Sequence, residues 1–524
     1  MILATADQMR AADRATIDQI GLPGIVLMEN AAQGAARVLW EAVEGLERLS
    51  VGVCCGRGNN GGDGLAMARI LAGRGVDCTA YLFCQGDELA GDAAINLAVA
   101  KACGVAVVEI ADEAAFARRQ AAIAGHDLYI DALLGTGLNA PVRGRIAQAI
   151  ALINRLGRPV LAVDIPSGLC AQTGRPLGAA VRATWTATFG LVKLGLALDP
   201  GEHVGRLSLV EIGIPPAVTA GLGCRAWLLD DAGVAGLLPP RPAGAHKGGF
   251  GHLLVVGGSL GKSGAPCLAA LGGLRAGAGL VTAALPAGLN LVAETKLTAA
   301  MSEPLPQHSE GGLALAALPV LMDLCAQRQA LVLGPGLGGH PESRELARRL
   351  LAACPAPVVV DADGLNALAG VFKPGAIQSP AAVITPHPGE AARLLGADTA
   401  AIAADRPAAA RALAAQSGAV AVLKGARTLI AHPDGRLWVN PTGNPLLASG
   451  GSGDVLAGVI AGLMAQGASA LDAALAGVYV HGLAADLAMA DFGRRGLMAE
   501  ELVDYLPAAF ARLEAPGGGE EEGE

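Results

Sequence analysis

Three segments in the first half of the chain concentrate the side chains that could bind a cation or move a proton. They are residues 56–64, 131–141 and 164–168, and each follows a short aliphatic run. Loops that follow parallel strands meet in one crevice at the carboxyl edge of an open α/β sheet, so these segments should converge. Their amide, hydroxyl and carboxylate oxygens suit a hard cation and proton transfer. Taken singly, Asp131 and Asp164 could instead be ordinary turn or cap residues.

The first of these segments also carries the glycine pattern of a dinucleotide-binding turn, at Gly56, Gly58 and Gly61. The same glycines could serve only to pack a helix against a strand. The acidic residue that would bind a ribose is missing from the end of the next strand, because Asp77 stands at its start. A redox dehydrogenase is therefore the least favoured function.

In the second half, the small residues 450–453 lead directly into Asp454 and an apolar helix. Exposed backbone amides at a helix N-terminus form a pocket for phosphate. A carboxylate beside such a pocket is what phosphoryl transfer to a hydroxyl requires, because it can take the hydroxyl proton. The alternative is that Asp454 only complements the helix dipole.

Three other segments of the second half also follow predicted strands and carry polar or glycine residues, namely 334–338, 385–390 and 424–428. Residues 257–263 look like a phosphate-binding P-loop, but that motif would need a glycine where Val256 stands. The segment is thus predicted to be a glycine-rich turn and no more.

The elements that must position these residues follow from the hydrophobic pattern. Residues 5–20 fit a helix that Thr5 and Gln8 cap and Gly21 ends, and residues 25–42 fit a second helix. After these, short aliphatic strands alternate with helices, as in a parallel sheet. The predicted strands are 49–55, 77–83, 106–110, 128–133, 159–163 and 187–189 in the first half, and 251–256, 279–284, 330–333, 358–360, 382–384 and 421–424 in the second.

Composition sets the limits of this interpretation. The 524 residues include 74 glycines, 52% are hydrophobic, 16% are charged, and the formal charge is −9. The apolar content excludes a disordered chain, and mild acidity without basic clusters argues against a nucleic-acid partner. We expect no membrane span and no signal peptide, and the ten cysteines are expected to be reduced in a cytoplasmic protein. The predicted α/β domains are residues 1–215 and 226–510, followed by a disordered acidic tail at 517–524.

The segments 56–64 and 164–168, with the Asp131 segment between them, resemble the NAD(P)H-hydrate epimerase family over about residues 1–215. The resemblance implies a Rossmann-like three-layer domain, usually dimeric, in which Asn60, Asp131 and Ser167 hold K⁺. It also implies substrate contacts from Asn59, Asn60, Gly61, Gly62, Asp63, Gly135, Thr136, Gly137, Leu138, Asn139, Ala140, Pro141 and Asp164.

The reaction of that family inverts the ring carbon that carries the added hydroxyl of a hydrated nicotinamide. Such an inversion needs proton transfer and brief loss of the hydroxyl, which a nearby carboxylate can serve. We predict Asp164 as the acid or base and Lys193 as its helper, although Lys193 could also be a solvated lysine after a strand. The helix at 25–42 is the candidate contact of a homo-oligomer, with core packing as its alternative role.

The segments 334–338, 385–390, 424–428 and 450–454 resemble the ADP/ATP-dependent NAD(P)H-hydrate dehydratase family over about residues 226–510. The resemblance implies a ribokinase-like α/β fold. It implies nucleotide contacts from Lys424, Gly425, Ala426, Arg427, Thr428 and Gly453, and substrate contacts from Ala276, Gly338, His387 and Asp454. The two halves in one chain resemble the bifunctional bacterial NAD(P)H-hydrate repair enzyme family.

That resemblance implies a repair reaction on the hydrates of NADH and NADPH, called NADHX and NADPHX. The first domain would interconvert the R and S hydrates, and the second, with Mg²⁺ and ADP, would dehydrate the S hydrate and release AMP and phosphate. Asp454 would deprotonate the hydroxyl. Fusion of both activities favours ADP over ATP by resemblance. The alternatives are a vitamin or sugar kinase of the same fold, and a first domain that binds nucleotides without catalysis.

Overall fold

The structure is a computed structural model that describes residues 1–515, which fall into two compact units. One unit is Ile2–Ala226, and the other consists of Met1 and the described residues from Trp227 onward. The predicted tail at 517–524 lies outside the described residues. All ten cysteines are unpaired in this structure.

The first unit is built around a seven-stranded parallel sheet of order β4-β3-β2-β5-β6-β7-β9, and β1 pairs separately with β8. Aliphatic residues cover both faces of the sheet, with separate clusters centred on α3 and on α6, which makes three layers. The strand order reverses between β2 and β5, where open sheets of this kind bind ligands. The strands are β1 Ile2–Ala4, β2 Ser50–Cys55, β3 Asp77–Leu82, β4 Ala106–Glu109, β5 Leu128–Ala132, β6 Val160–Val163, β7 Trp185–Phe189, β8 Val192–Lys193 and β9 Arg206–Val210. The helices are α1 Ala6–Arg14, α2 Gly24–Ala42, α3 Asn59–Ala72, α4 Gly91–Ala102, α5 Glu113–Ile123, α6 Gly144–Leu156, α7 Leu194–Leu198 and α8 Pro216–Gly221.

The helix predicted over 5–20 is present only in part as an α-helix. The predicted capping box of Thr5 and Gln8 is confirmed, but α1 ends at Arg14 and a wider π-helical segment, Ala15–Ile20, continues to Gly21. In this region the Thr16 hydroxyl donates to the Ala12 carbonyl, which competes with the regular backbone ladder.

The second predicted helix is confirmed as α2. Its buried residues, which include Leu27, Ala31 and Leu39, pack into the core of the first unit, so packing within the unit explains its apolar face. A contact between two copies through α2 stays a prediction.

The second unit contains a sheet whose strands run in the order β13-β12-β11-β14-β15-β16-β17-β18-β19. The strands from β13 to β17 are parallel, whereas β18 and β19 are antiparallel to their neighbours. A short strand β10, Ala226–Leu228, lies at the boundary of the units. The other strands are β11 His252–Val256, β12 Leu280–Pro286, β13 Met301–Leu305, β14 Ala330–Leu333, β15 Val358–Val360, β16 Ala382–Ile384, β17 Val420–Leu423, β18 Leu429–Ala431 and β19 Leu437–Val439. The helices are α9 Asp231–Ala235, α10 Gly264–Arg275, α11 Asn290–Lys296, α12 Leu318–Ala326, α13 Pro341–Leu351, α14 Ala362–Leu368, α15 Pro388–Leu395, α16 Thr399–Ala404, α17 Arg406–Ser417, α18 Ser452–Ala465, α19 Ala470–Phe492 and α20 Ala499–Glu514.

Two buried helices, α18 and α19, form much of the core of the second unit. By length and apolar composition, α19 is the one described helix that could cross a membrane. However, 78% of its most apolar 18-residue stretch is buried inside the protein. Its apolar residues are therefore explained by core packing.

Each predicted strand is present within two residues of its predicted bounds, which confirms two α/β units.

Candidate active sites

A cavity of about 830 Å³ opens in the first unit at the carboxyl ends of β2, β5 and β6. The loops after these strands form its walls together with residues of α1 and α2. The three oxygen-rich segments that the sequence singled out therefore converge, as predicted. The predicted residues that line the cavity are Asn59, Asn60, Asp63, Asp164, Lys193 and every residue of 135–141.

Two predicted substrate contacts, Gly61 and Gly62, are not among the lining residues of this cavity. A Cβ atom on Gly61 would lie 1.8 Å from the carbonyl oxygen of Gly56, and one on Gly56 would lie 1.9 Å from that of Leu133. Only glycine allows such close approach of the turn to the strands. Gly62 likewise packs against Met28. Backbone packing thus accounts for these glycines, and their contact with a substrate stays a prediction.

Asp164 and Lys193, the predicted acid–base pair, contact each other. Asp164 has a φ of +66°, a strained left-handed conformation for a residue with a side chain. The buried Lys193 ammonium donates to Asp164 Oδ1 at 2.5 Å, to Thr188 Oγ1 at 3.0 Å and to the Phe189 carbonyl at 2.8 Å. An ammonium group has three donors, so all are used. Asp164 Oδ2 accepts no hydrogen bond from the described residues and remains available to a ligand.

Two further carboxyl groups, Asp63 and Asp13, line the same cavity. Burial raises the pKa of Asp63 well above its usual value, and the negative charges of Asp164 and Asp13 raise it further. Burial also raises the pKa of Asp13, while Lys193 opposes this shift. Sequence reasoning missed Asp13, because a single aspartate on the polar side of an amphipathic helix carries no signal of its own.

The three predicted K⁺ ligands are connected through Leu134. The Asn60 amide donates to the Leu134 carbonyl at 3.1 Å, the Leu134 amide donates to Ser167 Oγ at 2.8 Å, and the Ser167 amide donates to Asp131 Oδ2 at 2.7 Å. Asn60 Oδ1 is buried without a hydrogen-bond partner, and burial raises the pKa of Asp131 to about 6. A cation bound to these oxygens would give Asn60 Oδ1 a partner and would offset the effect of burial on Asp131. The set of oxygen ligands therefore fits K⁺.

In the second unit, the predicted phosphate pocket lies at the start of α18. The backbone amides of residues 450–454 donate to no acceptor among residues 1–515. Gly451 has a φ of +95° and precedes the helix. The Ser452 carbonyl accepts a hydrogen bond from the buried ring of His481 at 2.9 Å, and the Ser452 hydroxyl donates to the Leu447 carbonyl at 2.8 Å. These contacts fix the loop while leaving its amides open to an anion. His481 thus has a structural role.

Asp454 lies in the first turn of α18 beside a set of charged groups. Burial raises the pKa of Asp454 to about 7, Asp361 adds to the shift, and Lys424 opposes it. Lys424 Nζ donates to Asp361 Oδ1 at 2.7 Å and lies 3.3 Å from where a Cβ on Gly453 would be. Burial disfavours the charged lysine, but Asp361 and Glu390 outweigh this effect, and the pKa of Lys424 is raised. Lys424, Gly453 and Asp454 therefore come together, as predicted.

His387 begins α15 and has a structural role in addition to any contact with a ligand. Its Nδ1 accepts hydrogen bonds from the amides of Gly389 at 3.0 Å and Glu390 at 3.3 Å. The His387 amide in turn donates to the Glu390 carboxylate at 2.8 Å. Burial, together with the positive charge of Lys424, lowers the pKa of His387. His387 thus lies in the electrostatic neighbourhood of Lys424 and Asp361.

Gly338 and Ala276, two predicted substrate contacts, lie in different surroundings. The Gly338 amide donates to Asp363 Oδ2 at 2.9 Å, and Asp363 is one of the groups that raise the pKa of Asp454. Ala276 instead follows α10 and packs against Gly462, two turns further along α18 than Asp454. The structure therefore brings Gly338 toward the site but does not place Ala276 beside Asp454, and its role stays a prediction.

The remaining predicted nucleotide contacts form a compact turn between β17 and β18. Thr428 Oγ1 donates to the Gly425 carbonyl at 2.9 Å, and the Arg427 guanidinium donates to the Pro441 carbonyl at 2.8 Å. The Arg406 side chain, which sequence reasoning missed, donates to the carbonyls of Ala426 and Arg427. These bonds fix the turn that follows Lys424, and its contact with a nucleotide stays a prediction.

These features define a class of protein: a parallel α/β unit with a carboxylate-lined cavity, followed by an α/β unit with open amides and a carboxylate at a helix N-terminus. Comparison with known proteins identifies the family. A model described as "YjeF-related protein N-terminus" matches residues 24–195, and the NAD(P)H-hydrate dehydratase model matches residues 253–508.

Curated relatives extend the match over the whole chain. The chain is 43% identical to the bifunctional NAD(P)H-hydrate repair enzyme of Moorella thermoacetica, over 98% of this chain and 97% of the relative. It is 40% identical to the enzyme of the same name from Salinibacter ruber, over 97% and 96% of the two chains. The chain therefore belongs to the bifunctional NAD(P)H-hydrate repair enzyme family. The predicted fold class, a Rossmann-like unit followed by a ribokinase-like unit, is confirmed.

A solved structure also resembles this chain. The ADP/ATP-dependent NAD(P)H-hydrate dehydratase of Bacillus subtilis, co-crystallised with ATP and Mg²⁺, is 33% identical and covers 55% of this chain and 99% of its own, with a TM-score of 0.48.

Proposed function

We infer that this chain repairs hydrated NADH and NADPH with two active sites, one in each unit. The first site interconverts the R and S hydrates, and the second dehydrates the S hydrate with ADP as phosphoryl donor, which yields NAD(P)H, AMP and phosphate. The observation that carries the second assignment is the set of open amides at 450–454 directly before Asp454. The function agrees with the family to which the chain belongs.

In the second site, the open amides of residues 450–454 bind the terminal phosphate of the nucleotide. The Lys424 ammonium makes one hydrogen bond within the described residues, to Asp361, so its other two N–H donors can reach phosphate oxygens. Asp454, with a pKa of about 7, is partly ionised at neutral pH and accepts the proton of the substrate hydroxyl. The hydroxyl oxygen then attacks the β-phosphorus of ADP, and AMP leaves. The ring nitrogen expels the new phosphate, and loss of a neighbouring proton restores the double bond.

Mg²⁺, when bound, would offset the phosphate charge. Within residues 1–515 no group of three or more His, Cys, Asp and Glu side chains could hold a metal ion. The ion would therefore arrive with the nucleotide, held mainly by phosphate oxygens.

In the first site, Asp164 is the base and Lys193 its positioning residue. All donors of Lys193 are used within the protein, so the lysine orients the carboxylate and does not itself donate to a substrate. The same unit would bind K⁺ through Asn60, Asp131 and Ser167, where the orphaned Asn60 Oδ1 supports the assignment. Thermal unfolding in KCl and LiCl tests it, because K⁺ should raise the midpoint of the first unit, and Asp131→Asn should remove the difference.

The test of the function is to mix a hydrated NADH of both epimers with ADP and Mg²⁺ and to follow the return of NADH absorbance. Asp454→Asn should abolish this recovery and leave exchange between the epimers unchanged, because Asp454 belongs to the second unit alone. If the wild-type chain recovers no NADH with ADP or ATP, the assignment is wrong. A stable phosphorylated product would instead support the kinase alternative.

The assembly and location of the enzyme are also proposals. We propose a homo-oligomer in the cytoplasm, in line with the unpaired cysteines.

A further inference from the structure

Asp13 and Asp63 are two carboxyl groups of the first cavity that the mechanism above does not use. They come from different elements, Asp13 from α1 and Asp63 from α3, and both line the cavity with Asp164. An inversion that removes a hydroxyl from one face of a ring and adds water to the other needs a proton donor as well as a base. Lys193 cannot be that donor, because its three donors are already bonded within the protein.

Asp63 has the surroundings of a proton donor. Asp63 is only 8% exposed and lines the cavity, and its carboxyl group forms no hydrogen bond with the described residues. A buried carboxylate without donors is strongly disfavoured, whereas a protonated carboxyl in the same place can donate to a ligand. Asp63 is therefore a carboxyl group without a protein partner, whereas Asp164 is paired with the Lys193 ammonium.

The charged and titratable groups around Asp63 favour the same division of roles. Asp164 and Asp13 disfavour a further negative charge at Asp63, and Lys193 opposes this effect. A negative charge on Asp63 would in turn raise the pKa of the Cys55 thiol on β2. Lys193 is already paired with Asp164, so it neutralises that carboxylate first. Two unpaired carboxyl groups near one another do not both ionise readily, so Asp13 keeps a proton on Asp63.

We propose that Asp63 is the proton donor of the epimerase reaction, that Asp164 is the proton acceptor, and that Asp13 is a positioning residue that acts through Asp63. The inference rests on the proposed epimerase function of this unit and deepens it.

The proposed step balances as follows. Asp63 gives its proton to the hydroxyl on the ring carbon, the carbon–oxygen bond breaks, and its electron pair leaves with the water formed. The lone pair of the ring nitrogen forms a carbon–nitrogen double bond. A water molecule then attacks the same carbon from the opposite face and gives a proton to Asp164. The product is the other epimer, and the reverse reaction starts with the two carboxyl groups in exchanged protonation states.

The remaining titratable residues that line the cavity are less suited to this role. They are Arg10, Arg57, Glu88, Asp92, Arg143 and Arg145. A guanidinium group is not a general acid, and Glu88 is exposed and accepts a hydrogen bond from the Gln85 amide. Asp77 is the matched control, because it is an exposed aspartate at the amino end of β3 and does not line the cavity.

The first test is Asp63→Asn in the full chain, which preserves shape and removes the proton. We expect epimer exchange to fall by about 100-fold or more. Dehydration of the purified S hydrate should be unchanged, which shows that the chain is folded, and Asp77→Asn should exchange epimers at the wild-type rate. Wild-type exchange by Asp63→Asn would overturn the inference. Absence of exchange in the wild-type chain would instead reject the proposed function.

The second test is Asp13→Asn, read from the pH profile of epimer exchange. The Asp13 charge keeps Asp63 protonated, so its removal should let Asp63 lose its proton at lower pH. The alkaline limb of the profile should therefore move to lower pH. A slower reaction with an unmoved limb would contradict the role of Asp13.

The third test follows oxygen during exchange in H₂¹⁸O. Inversion by loss and re-addition of water incorporates one labelled oxygen into the inverted hydrate. Inversion that keeps the original oxygen would mean that the ring opens and closes instead, and it would overturn the proposed step.

Discussion

Each unit of this enzyme has a lysine paired with an aspartate at its site, and the two pairs have different roles. Lys193 in the first unit places its three donors on Asp164, Thr188 and Phe189. The Lys424 ammonium in the second unit donates one hydrogen bond within the described residues, to Asp361. A buried ion pair is tolerated when its remaining hydrogen-bonding groups are satisfied. The first lysine is therefore satisfied by the protein, whereas the second is left with donors for a ligand.

At the residue scale, the sequence predicted Asp164 and Asp454 but missed Asp13 in the first site and Asp361, which directly follows β15, in the second. Asp164 and Asp454 were predicted because topology alone brings the residues after parallel strands, and those at the start of a glycine-preceded helix, into shared sites. Asp13 lies on α1, where the spacing of apolar residues indicates only which side is buried. The proximity of Asp13 to Asp63 depends on how α1 packs, which no local pattern encodes.

The charge of Lys424 should set the pH dependence of the dehydratase. Asp454 must be ionised to accept a proton, so activity should rise with pH through about 7, its pKa. Lys424 lowers this pKa, and Lys424→Met should therefore raise it and move the rising limb of kcat/KM to higher pH, by about one unit.

The control for this variant is Lys262→Met. Lys262 is paired with Asp363 and is not among the groups that shift the pKa of Asp454, so its removal should leave the limb in place. A limb that stays at the wild-type position in Lys424→Met would show that another group is the titrating base.

At the scale of elements, glycine spacing decides how close the helices of the second unit can pack. A Cβ on Gly458 of α18 would lie 2.0 Å from the Ala269 carbonyl of α10, and one on Gly272 of α10 would lie 2.4 Å from the Val455 carbonyl. Of these two helices, α10 follows the strand β11, and α18 carries Asp454. Close packing at the glycines therefore also positions the phosphate-binding amides.

The strands that the sequence did not predict are short or partly exposed. β13 contains Glu303 and Pro304 and is the end strand of its sheet, while β18 and β19 have three residues each. Such strands lack the run of aliphatic residues that marks a strand buried on both faces. Pairing with neighbouring strands, which is a tertiary effect, is what makes them strands.

Gly458→Ala should destabilise the second unit and reduce dehydratase activity. The added methyl group would meet backbone, which cannot move aside as a side chain can, so α10 and α18 must separate at a cost of about 1–3 kcal/mol. Thermal unfolding should show a lower midpoint for the second unit, with the transition of the first unit unchanged.

Gly264→Ala is the matched control, because Gly264 belongs to α10, the helix that Gly458 contacts, and a Cβ there would meet nothing within 4 Å. Its midpoint should equal or slightly exceed that of the wild-type chain, since alanine favours a helix. An equal loss of stability in both variants would show that the close contact at Gly458 is not responsible.

At the scale of the whole molecule, the alternation of strands and helices was sufficient to predict two α/β units, because each βα series needs a core of its own. The first site takes its residues from Ile2–Ala226, and the second takes its residues from Trp227 onward. The chemistry connects the two sites only through their shared substrate, since the first site converts the R hydrate into the S hydrate that the second consumes.

Two variants, each with one site inactivated, should therefore complement each other in a mixture. With purified R hydrate, ADP and Mg²⁺, Asp454→Asn should form the S hydrate but no NADH, and Asp164→Asn should form NADH only as fast as uncatalysed exchange supplies the S hydrate. Together they should recover NADH to the wild-type end point, because the S hydrate diffuses from one chain to the other. A double variant, Asp164→Asn with Asp454→Asn, mixed with Asp454→Asn is the control and should recover none. If the complementary mixture does not exceed the uncatalysed rate, the hydrate is not released between the two steps, and the two sites do not work independently.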